Sequence, residues 1–286
     1  MQYGAVFPQT EIGADPVVVR DYAQAVEDLG YDYLLAYDHV LGADPEGRGG
    51  RWPYTYMSSF HEPLTLFAYL AGLTERIELV SGVIILPQRQ TALLAKQAAE
   101  VDILTGGRLI LGIGSGWNYV EYETLGQDFH TRGRRLEEQV GLLRRFWSEQ
   151  LVEFEGEFDR APGAGINPLP GRLIPIWMGG TAPVVLDRIG RIGDGWIAGR
   201  GGPDQFALDV QAIREAAERA GRDPSGVGIA GSVAHHGSPD EQVAFAARLG
   251  AAGAERIHVV TMDAGLESPG GHINALREFI EAVRGS

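Results

Sequence analysis

An acid and an imidazole stand side by side where a run of apolar residues ends. Residues 31–37 read YDYLLAY, which predicts a buried strand, and Asp38 and His39 follow directly. Because the ordinary pKa of histidine lies near neutrality, its ring can donate or accept a proton in a reaction. The alternative is structural: His39 bonds to backbone at a strand end and Asp38 fixes the loop. The pair is a candidate for acid–base chemistry if this strand end opens on a cavity.

The elements that must position this pair are apolar runs that alternate with segments of helical spacing. Eight strands are predicted at 2–8, 31–37, 76–83, 108–114, 174–180, 195–199, 227–233 and 256–262. Eight helices are predicted at 16–29, 62–74, 90–104, 131–149, 182–191, 204–220, 239–250 and 272–284. Such alternation indicates a parallel sheet, whose strands are buried on both faces. We predict an α/β fold, a (β/α)8 TIM barrel forming one domain over residues 1–286, with a doubly wound open sheet as the alternative.

Two connections are too long to be plain turns and are predicted as insertion loops. The first, residues 40–61, follows strand 2 and carries several aromatic side chains. These are Trp52, Tyr54, Tyr56 and Phe60. The second, residues 150–173, precedes strand 5 and contains an alternating stretch that predicts a small hairpin. The first loop is either surface decoration or a lid over a site. We favour the lid, because this loop leaves from the strand end that carries Asp38 and His39.

In a barrel of this kind the active site lies at the carboxyl ends of the strands. Gly179, Gly180 and Thr181 follow strand 5 and open the next helix, where free amides suit a phosphate and Thr181 could cap the helix. The run GIGSGW at 112–117 ends strand 4, without the dinucleotide-binding glycine spacing. Each glycine-rich run alone is as typical of a tight turn as of a ligand-binding loop. Together they predict a phosphate-tailed cofactor across the barrel mouth.

Composition excludes several classes of function. The net charge is −14 and no stretch is basic, which argues against nucleic acid and anionic membranes as partners. Cysteine is absent, so disulfides and thiolate chemistry are excluded. The N-terminal residues MQYGAVFPQTE lack the pattern of a secretory signal, and no apolar run is long enough to span a bilayer. The sequence therefore predicts a cytoplasmic protein.

Two further kinds of catalytic site find no match among the strand ends. A Schiff-base enzyme needs a lysine in its pocket, and the single lysine, Lys96, lies within a helical pattern. A divalent-metal site needs about three acidic ligands, and only Asp38 and Asp263 stand at predicted strand ends. His235 and His236 are interpreted as an exposed loop pair. We predict no metal.

Three stretches resemble a known family. Residues 86–126, LPQRQTALLAKQAAEVDILTGGRLILGIGSGWNYVEYETLG, are similar to the luciferase-like, flavin-type barrel enzymes. Residues 174–197 and 31–40 show the same resemblance, which extends over nearly the whole chain. More narrowly, the chain resembles the branch of oxidoreductases that use the deazaflavin coenzyme F420. Other branches of the family use FMN as monooxygenases.

The resemblance implies a role for each strand end. Asp38 matches a residue that contacts the tricyclic ring, and His39 matches one near the hydride-accepting face. Gly82–Val83 matches a cis non-proline peptide that bulges against the ring. The family's cofactor-binding loops after strands 4 and 5 match seven further residues. These are Gly114, Gly116, Trp117, Asn118, Gly179, Gly180 and Thr181. For Asn118, capping of the following turn is the alternative.

One departure from the family pattern concerns the substrate. In deazaflavin sugar-phosphate dehydrogenases, a glutamate just after the strand-4 G-x-G acts as the acid. This chain has Trp117 at that position. Their phosphate-binding lysines have no counterpart, since Lys96 is the only lysine. We therefore do not predict sugar-phosphate oxidation for this chain. Trp117 and the aromatic loop predict an apolar substrate, with Trp52, Tyr54 and Phe60 as its contacts.

Three functions follow from the resemblance. The preferred one is hydride transfer between F420 and an apolar organic substrate, with His39 as proton donor or acceptor and Asp38 positioning the ring. The first alternative is an FMN-dependent monooxygenase that uses dioxygen and a partner flavin reductase. The second is a non-catalytic flavin- or deazaflavin-binding protein. The resemblance also implies a homodimer.

Overall fold

The computed structural model describes residues 1–49 and 52–285, and a closed ring of parallel strands forms its centre. The strands are β1 Gln2–Val6, β2 Tyr33–Ala36, β3 Glu78–Ser81, β4 Ile84–Ile85, β5 Leu109–Gly114, β6 Val152–Glu155, β7 Arg160–Ala164, β8 Ile176–Gly179, β9 Gly195–Ile197, β10 Gly228–Ala234 and β11 Arg256–Val260. Hydrogen bonds join β1, β2, β3, β5, β8, β9, β10 and β11 in that order, and β11 pairs again with β1. The predicted (β/α)8 barrel is confirmed.

Helices follow the barrel strands and cover their outer face. They are α1 Pro16–Asp28, α2 Pro63–Ala71, α3 Thr91–Leu104, α4 Tyr119–Thr124, α5 Arg132–Ser148, α6 Pro183–Ile192, α7 Pro203–Arg219, α8 Pro239–Ala251 and α9 Pro269–Gly285. Six of these begin at a proline, which suits the first helical turn because that turn has no use for the missing N–H. The short helix α4 falls in the loop after β5 and was not predicted. No helix in the described residues is both long and apolar enough to cross a membrane.

The core has two layers, as expected for strands buried on both faces. The larger layer packs between the strands and the helices, and includes Phe7, Phe67 and Phe279. The smaller layer fills the barrel interior. Its members include Val6, Tyr33, Leu35, Val80, Ile110, Trp177, Ile197 and Val260. Because side chains alternate along each strand, the same runs that face the helices also place residues inside the barrel.

Three local features break the regular barrel. Between β3 and β4 the Gly82–Val83 peptide is cis, as the family resemblance predicts. At this break Ser81 Oγ donates to the Gly112 carbonyl at 2.8 Å and accepts from the Gly112 amide at 2.9 Å. The connection before β8 contains the predicted hairpin, in which β6 and β7 pair antiparallel. The described part of the loop after β2 contains neither helix nor strand.

Candidate active site

A cavity of about 510 Å³ opens at the carboxyl ends of the barrel strands. Most of the sequence-predicted site residues line it. They are Asp38, His39, Tyr54, Gly82, Val83, Gly114, Gly116, Trp117, Gly179, Gly180 and Thr181. Three predicted residues, Trp52, Phe60 and Asn118, do not line the cavity. The fold therefore brings together residues from the ends of β2, β3, β5 and β8, which lie far apart in the sequence.

Asp38 lies at the cavity wall with both carboxylate oxygens held by the protein. Its side chain is buried, Oδ1 accepts from Arg89 at 2.9 Å, and Oδ2 accepts from the Ile85 amide at 3.1 Å. Arg89 also donates to Glu62 at 2.9 Å. Burial raises the pKa of Asp38 above its ordinary value, against the opposing effect of the Arg89 guanidinium. Asp38 is thus fixed in place beside the cavity.

His39 is oriented by a carboxylate that the sequence analysis did not identify. Its Nδ1 lies 3.5 Å from Oε2 of Glu121, which is almost fully buried. Glu121 also accepts from the amides of Val40 at 2.6 Å and Leu41 at 3.1 Å, and from Gln88 at 3.2 Å. Burial raises the pKa of Glu121, but the hydrogen bonds from His39, Leu41 and Gln88 outweigh it, so the pKa lies below its ordinary value. The anionic carboxylate holds one ring nitrogen of His39.

Aromatic rings enclose His39 on its other sides. The centroid of its ring lies 5.2 Å from Tyr54, 4.9 Å from Phe60 and 5.7 Å from Trp117. Trp52 packs edge-on against Trp117 at 5.4 Å. Phe60 and Trp52 therefore act behind the cavity wall, as supports for His39 and Trp117. Of the three residues predicted as substrate contacts, Tyr54 lines this cavity, and the contact of Trp52 and Phe60 with a substrate stays a prediction.

Glycines around Val83 let its side chain pack closely into the cavity wall. A Cβ atom added to Gly114 would lie 2.6 Å from Val83 Cγ2, and one added to Gly179 would lie 3.0 Å from Val83 Cγ1. Val83 therefore occupies the space that side chains at these two positions would need. Gly116 has φ of 64°, and an added Cβ there would meet Ile85 at 2.8 Å. Val83 and Ile85 thus form an apolar part of the cavity wall.

The loop after β8 offers unpartnered backbone at a helix start. The helix α6 begins at Pro183, its N-cap is Ala182, and no side chain caps it. The capping role considered for Thr181 is therefore wrong, because Thr181 lies one residue before the cap. The Thr181 side chain is exposed at the cavity edge instead. Gly180 has φ of 123°, and its carbonyl accepts from Trp196 Nε1 at 2.9 Å. This helix N-terminus is suited to an anionic group.

The sequence of the chain matches a family model over almost its whole length. The model that matches residues 4–283 is that of the luciferase-like monooxygenases. The chain belongs to this luciferase-like family. An uncharacterized protein of Mycobacterium tuberculosis is 34% identical over 224 residues, which are 76% of this chain and 77% of that protein. An F420-dependent glucose-6-phosphate dehydrogenase of Mycolicibacterium fortuitum is 34% identical over 240 residues, covering 80% of this chain and 68% of that enzyme.

A solved structure shares the luciferase-like barrel. The monooxygenase RslO1 from Streptomyces bottropensis superposes with a TM-score of 0.82 at 18% identity, covering 100% of this chain and 99% of that chain. At this level of identity the similarity shows the fold alone. Because one fold hosts many activities, the activity of this luciferase-like protein depends on the residues of its own site.

Asn118 is a helix cap in this luciferase-like structure and lies outside the cavity wall. Its side chain is buried, Oδ1 accepts from the Glu121 amide at 3.3 Å, and it is the N-cap of α4. Its Nδ2 donates to the Leu41 carbonyl at 3.5 Å. The capping alternative considered for Asn118 is therefore observed, and its contact with a cofactor stays a prediction. The cap orients α4, and α4 carries Glu121 towards His39.

Two charged residues at the site were missed by the sequence analysis. Glu121 lies three residues after Asn118, the spacing of a capping pair, so its reach to the loop after β2 left no signal in the sequence. Arg200, at the end of β9, lines the cavity and contacts Asp263 at 3.3 Å and the Met262 carbonyl at 3.2 Å. Its position in the glycine-rich AGRGG run was the available signal. Among the described residues, no group of three or more His, Asp or Glu side chains is arranged to hold a metal.

Proposed function

We propose that this luciferase-like protein is an oxidoreductase that transfers a hydride between coenzyme F420 and a neutral, largely apolar organic substrate. The observation that carries the proposal is the placement of His39, at the cavity and held by a buried carboxylate. The F420-dependent relative, which covers 80% of this chain, supports the choice of cofactor. F420, when bound, supplies the ring carbon that gives or takes the hydride.

The described residues fit such a cofactor in two ways. The apolar wall at Val83, which Gly114 and Gly179 keep free of further side chains, suits a flat ring. The uncapped start of α6 and the exposed Thr181 suit the phosphate of its tail. Arg200 at the cavity edge supplies a positive charge. These residues would hold the cofactor across the mouth, and Asp38 would position the ring from β2.

His39 would move the proton that accompanies hydride transfer. Glu121 accepts from Nδ1 and so fixes which nitrogen carries the hydrogen that faces it. No described residue hydrogen-bonds to Nε2, which leaves this nitrogen to exchange a proton with a substrate oxygen. The surrounding rings of Tyr54, Phe60 and Trp117 exclude water from the transfer.

The cavity lining supports a neutral substrate. Among the described residues, the lining contains one arginine or lysine, Arg200, which already contacts Asp263. Apolar and aromatic residues supply most of the remaining wall near His39, including Tyr54, Ile85 and Trp117. A substrate phosphate would therefore lack the several basic partners that it needs in a dry site.

The test is direct binding of F420 and FMN to purified protein, by tryptophan fluorescence and equilibrium dialysis. Trp117 lines the cavity, so a bound ring should quench its emission. We expect F420 to bind at least tenfold more tightly than FMN. A preference for FMN would favour the monooxygenase alternative, with oxygen uptake in the presence of a flavin reductase as the next assay. Binding of F420 with no turnover across a panel of neutral ketones and enones would favour the non-catalytic alternative, and binding of neither would refute the proposal.

A further inference from the structure

The cavity floor contains polar groups that the proposed chemistry does not use. Ser232 on β10 and His258 on β11 line the cavity, and both are more than nine-tenths buried, at 6% and 2% exposure. They are direct neighbours, because Ser232 is paired with His258 in the β10–β11 ladder. Val83 and Ile197 line the same cavity, and Ser232 and His258 follow them in the order of the strands around the barrel.

These groups lack the hydrogen bonds that buried polar atoms normally make. Nδ1 of His258 is buried without a partner, as is the hydroxyl of Tyr33, whose ring centroid lies 6.4 Å from that of His258. No residue in the described part of the chain bonds to Ser232 Oγ or to Nε2 of His258. Gly4 separates Tyr33 from His258 in the ladder, and the Tyr33 ring lies over it, so that an added Cβ would be 2.3 Å away. Packing therefore holds the side chains of Tyr33 and His258 in place, while their polar atoms stay without hydrogen-bond partners in the described structure.

The chemistry of the floor selects a neutral ligand. Burial lowers the pKa of His258 to about 4, so near neutral pH the ring is uncharged, with one nitrogen as donor and the other as acceptor. Two cations lie near these groups, and both are paired. Arg256 lies over the Tyr33 ring at 5.5 Å and contacts Glu78 at 2.6 Å. Arg200, which lines the same cavity, contacts Asp263 at 3.3 Å. A charged ligand group would find no unpaired opposite charge beside Ser232 and His258 among the described residues. A group that both donates and accepts, such as an imide or amide, would satisfy it.

We propose that Ser232 and His258 form a polar subsite for the imide edge of the cofactor's heterocycle. This inference rests on the proposed function, since it needs a ring to lie on the Val83 wall with one edge directed into the barrel. F420 and FMN share an imide edge, a pyrimidinedione, and differ at position 5 of the central ring and at the edge opposite the imide. The subsite would thus bind the part that the two cofactors have in common.

The test compares Ser232→Ala and His258→Phe with the wild type, in the full-length protein. For each we would measure the dissociation constants of F420 and FMN by equilibrium dialysis, and the thermal midpoint without cofactor. We expect each substitution to weaken both cofactors by the same factor, about threefold to tenfold, the usual effect of losing one neutral hydrogen bond. The thermal midpoints should be unchanged or higher, because the removed groups have no partner in the free protein.

A matched control is His272→Phe. His272 is fully buried behind the barrel, away from the cavity lining, with Nδ1 bonded to Thr261 at 2.9 Å and Nε2 3.3 Å from Glu11. This variant should lower the thermal midpoint and leave both dissociation constants unchanged, the opposite of His258→Phe.

Three outcomes would overturn the subsite. Unchanged dissociation constants in both variants would show that the floor does not contact the ring. Weaker binding of F420 alone would assign Ser232 and His258 to a part of the ring in which the two cofactors differ. A lower thermal midpoint in both variants, with a proportionate loss of cofactor binding, would show that Ser232 and His258 serve folding only. A wild-type protein that binds neither cofactor would instead refute the proposed function, which separates the two failures.

Discussion

The two polar regions of the cavity differ in how their side chains are paired. At the end of β2, Asp38 and His39 are each held by a charged partner, Arg89 and Glu121 respectively. On the β10–β11 wall, the polar atoms of His258 have no protein partner in the described structure. A side chain whose hydrogen bonds are already made is fixed for one task, whereas an unpaired buried group is ready for a ligand. From this difference we infer that the first region orients the reacting groups and that the second binds the cofactor ring.

The largest effect is expected from a substitution of His39 in the paired region. We expect His39→Ala to reduce turnover by about 10²- to 10⁴-fold, the usual contribution of a general acid or base, with the dissociation constant of F420 within about twofold of wild type. The measurement is turnover with a substrate found in the ketone and enone panel. His236→Ala, at an exposed histidine outside the cavity lining, is the control. Nearly unchanged turnover in His39→Ala would reduce His39 to the structural alternative.

The next largest effect concerns the ion pair behind Asp38. Arg89→Met leaves the buried Asp38 carboxylate without its cation, which we expect to lower the free energy of unfolding by about 3–5 kcal/mol. Adding Asp38→Asn should restore part of the loss, since no uncompensated charge then remains at that position. Arg134→Met is the control, because its ion pair with Glu157 is exposed and should contribute less than about 1 kcal/mol. Urea unfolding measures all three variants, and equal losses in Arg89→Met and Arg134→Met would contradict the prediction.

A smaller, pH-dependent effect is expected at Glu121. Its pKa is lowered in the folded protein, so its stabilisation is present above its ordinary pKa of 4.5 and is lost as the pH falls through the folded value. We expect Glu121→Gln to cost about 2 kcal/mol at neutral pH, the typical strength of hydrogen bonds to a charged group, and less below pH 4.5. Unfolding curves at several pH values measure this. Glu123→Gln, at an exposed neighbour, should show neither change, and a loss in Glu121→Gln that does not vary with pH would exclude the charge as its cause.

The smallest effect tests Tyr33, the unpaired buried residue on β2 whose ring lies near His258. Tyr33→Phe removes a buried hydroxyl that has no partner, so we expect the free energy of unfolding to change by less than about 0.5 kcal/mol or to rise. Tyr31→Phe is the matched control, because the Tyr31 hydroxyl donates to the Leu276 carbonyl at 2.8 Å. That variant should lose about 1 kcal/mol. Equal losses in both variants would mean that Tyr33 is paired in solution, and the contrast between the two regions would fail.

The sequence was sufficient for features that depend on local pattern. Buried parallel strands read as apolar runs, so the barrel and its strand ends could be predicted, and with them the positions of Asp38, His39 and the glycine loops. The cis peptide at Gly82–Val83 followed from the family resemblance, and the hairpin from its alternating residues. These features need no knowledge of which side chains meet in space.

The missed features are contacts between distant parts of the chain. Glu121 reaches the loop after β2 across 81 residues, and nothing in its local sequence distinguishes it from a solvent-exposed acid at a helix start. Asn118 and Trp52 were assigned to ligands because polar and aromatic side chains near strand ends serve either ligands or packing. The structure adds the packing contacts that these two side chains make with α4 and with Trp117.

The packing of Val83 against Gly114 and Gly179 has a consequence for how this protein can vary. The three positions come from separate segments yet share one small volume, so the effect of a substitution at one depends on the residues at the others. A methyl group gained at position 114 should be tolerated far better when position 83 carries alanine than when it carries valine. Libraries built to change the ligand preference of this barrel should therefore randomise the three positions jointly, since single-site scans would discard combinations that are viable only together.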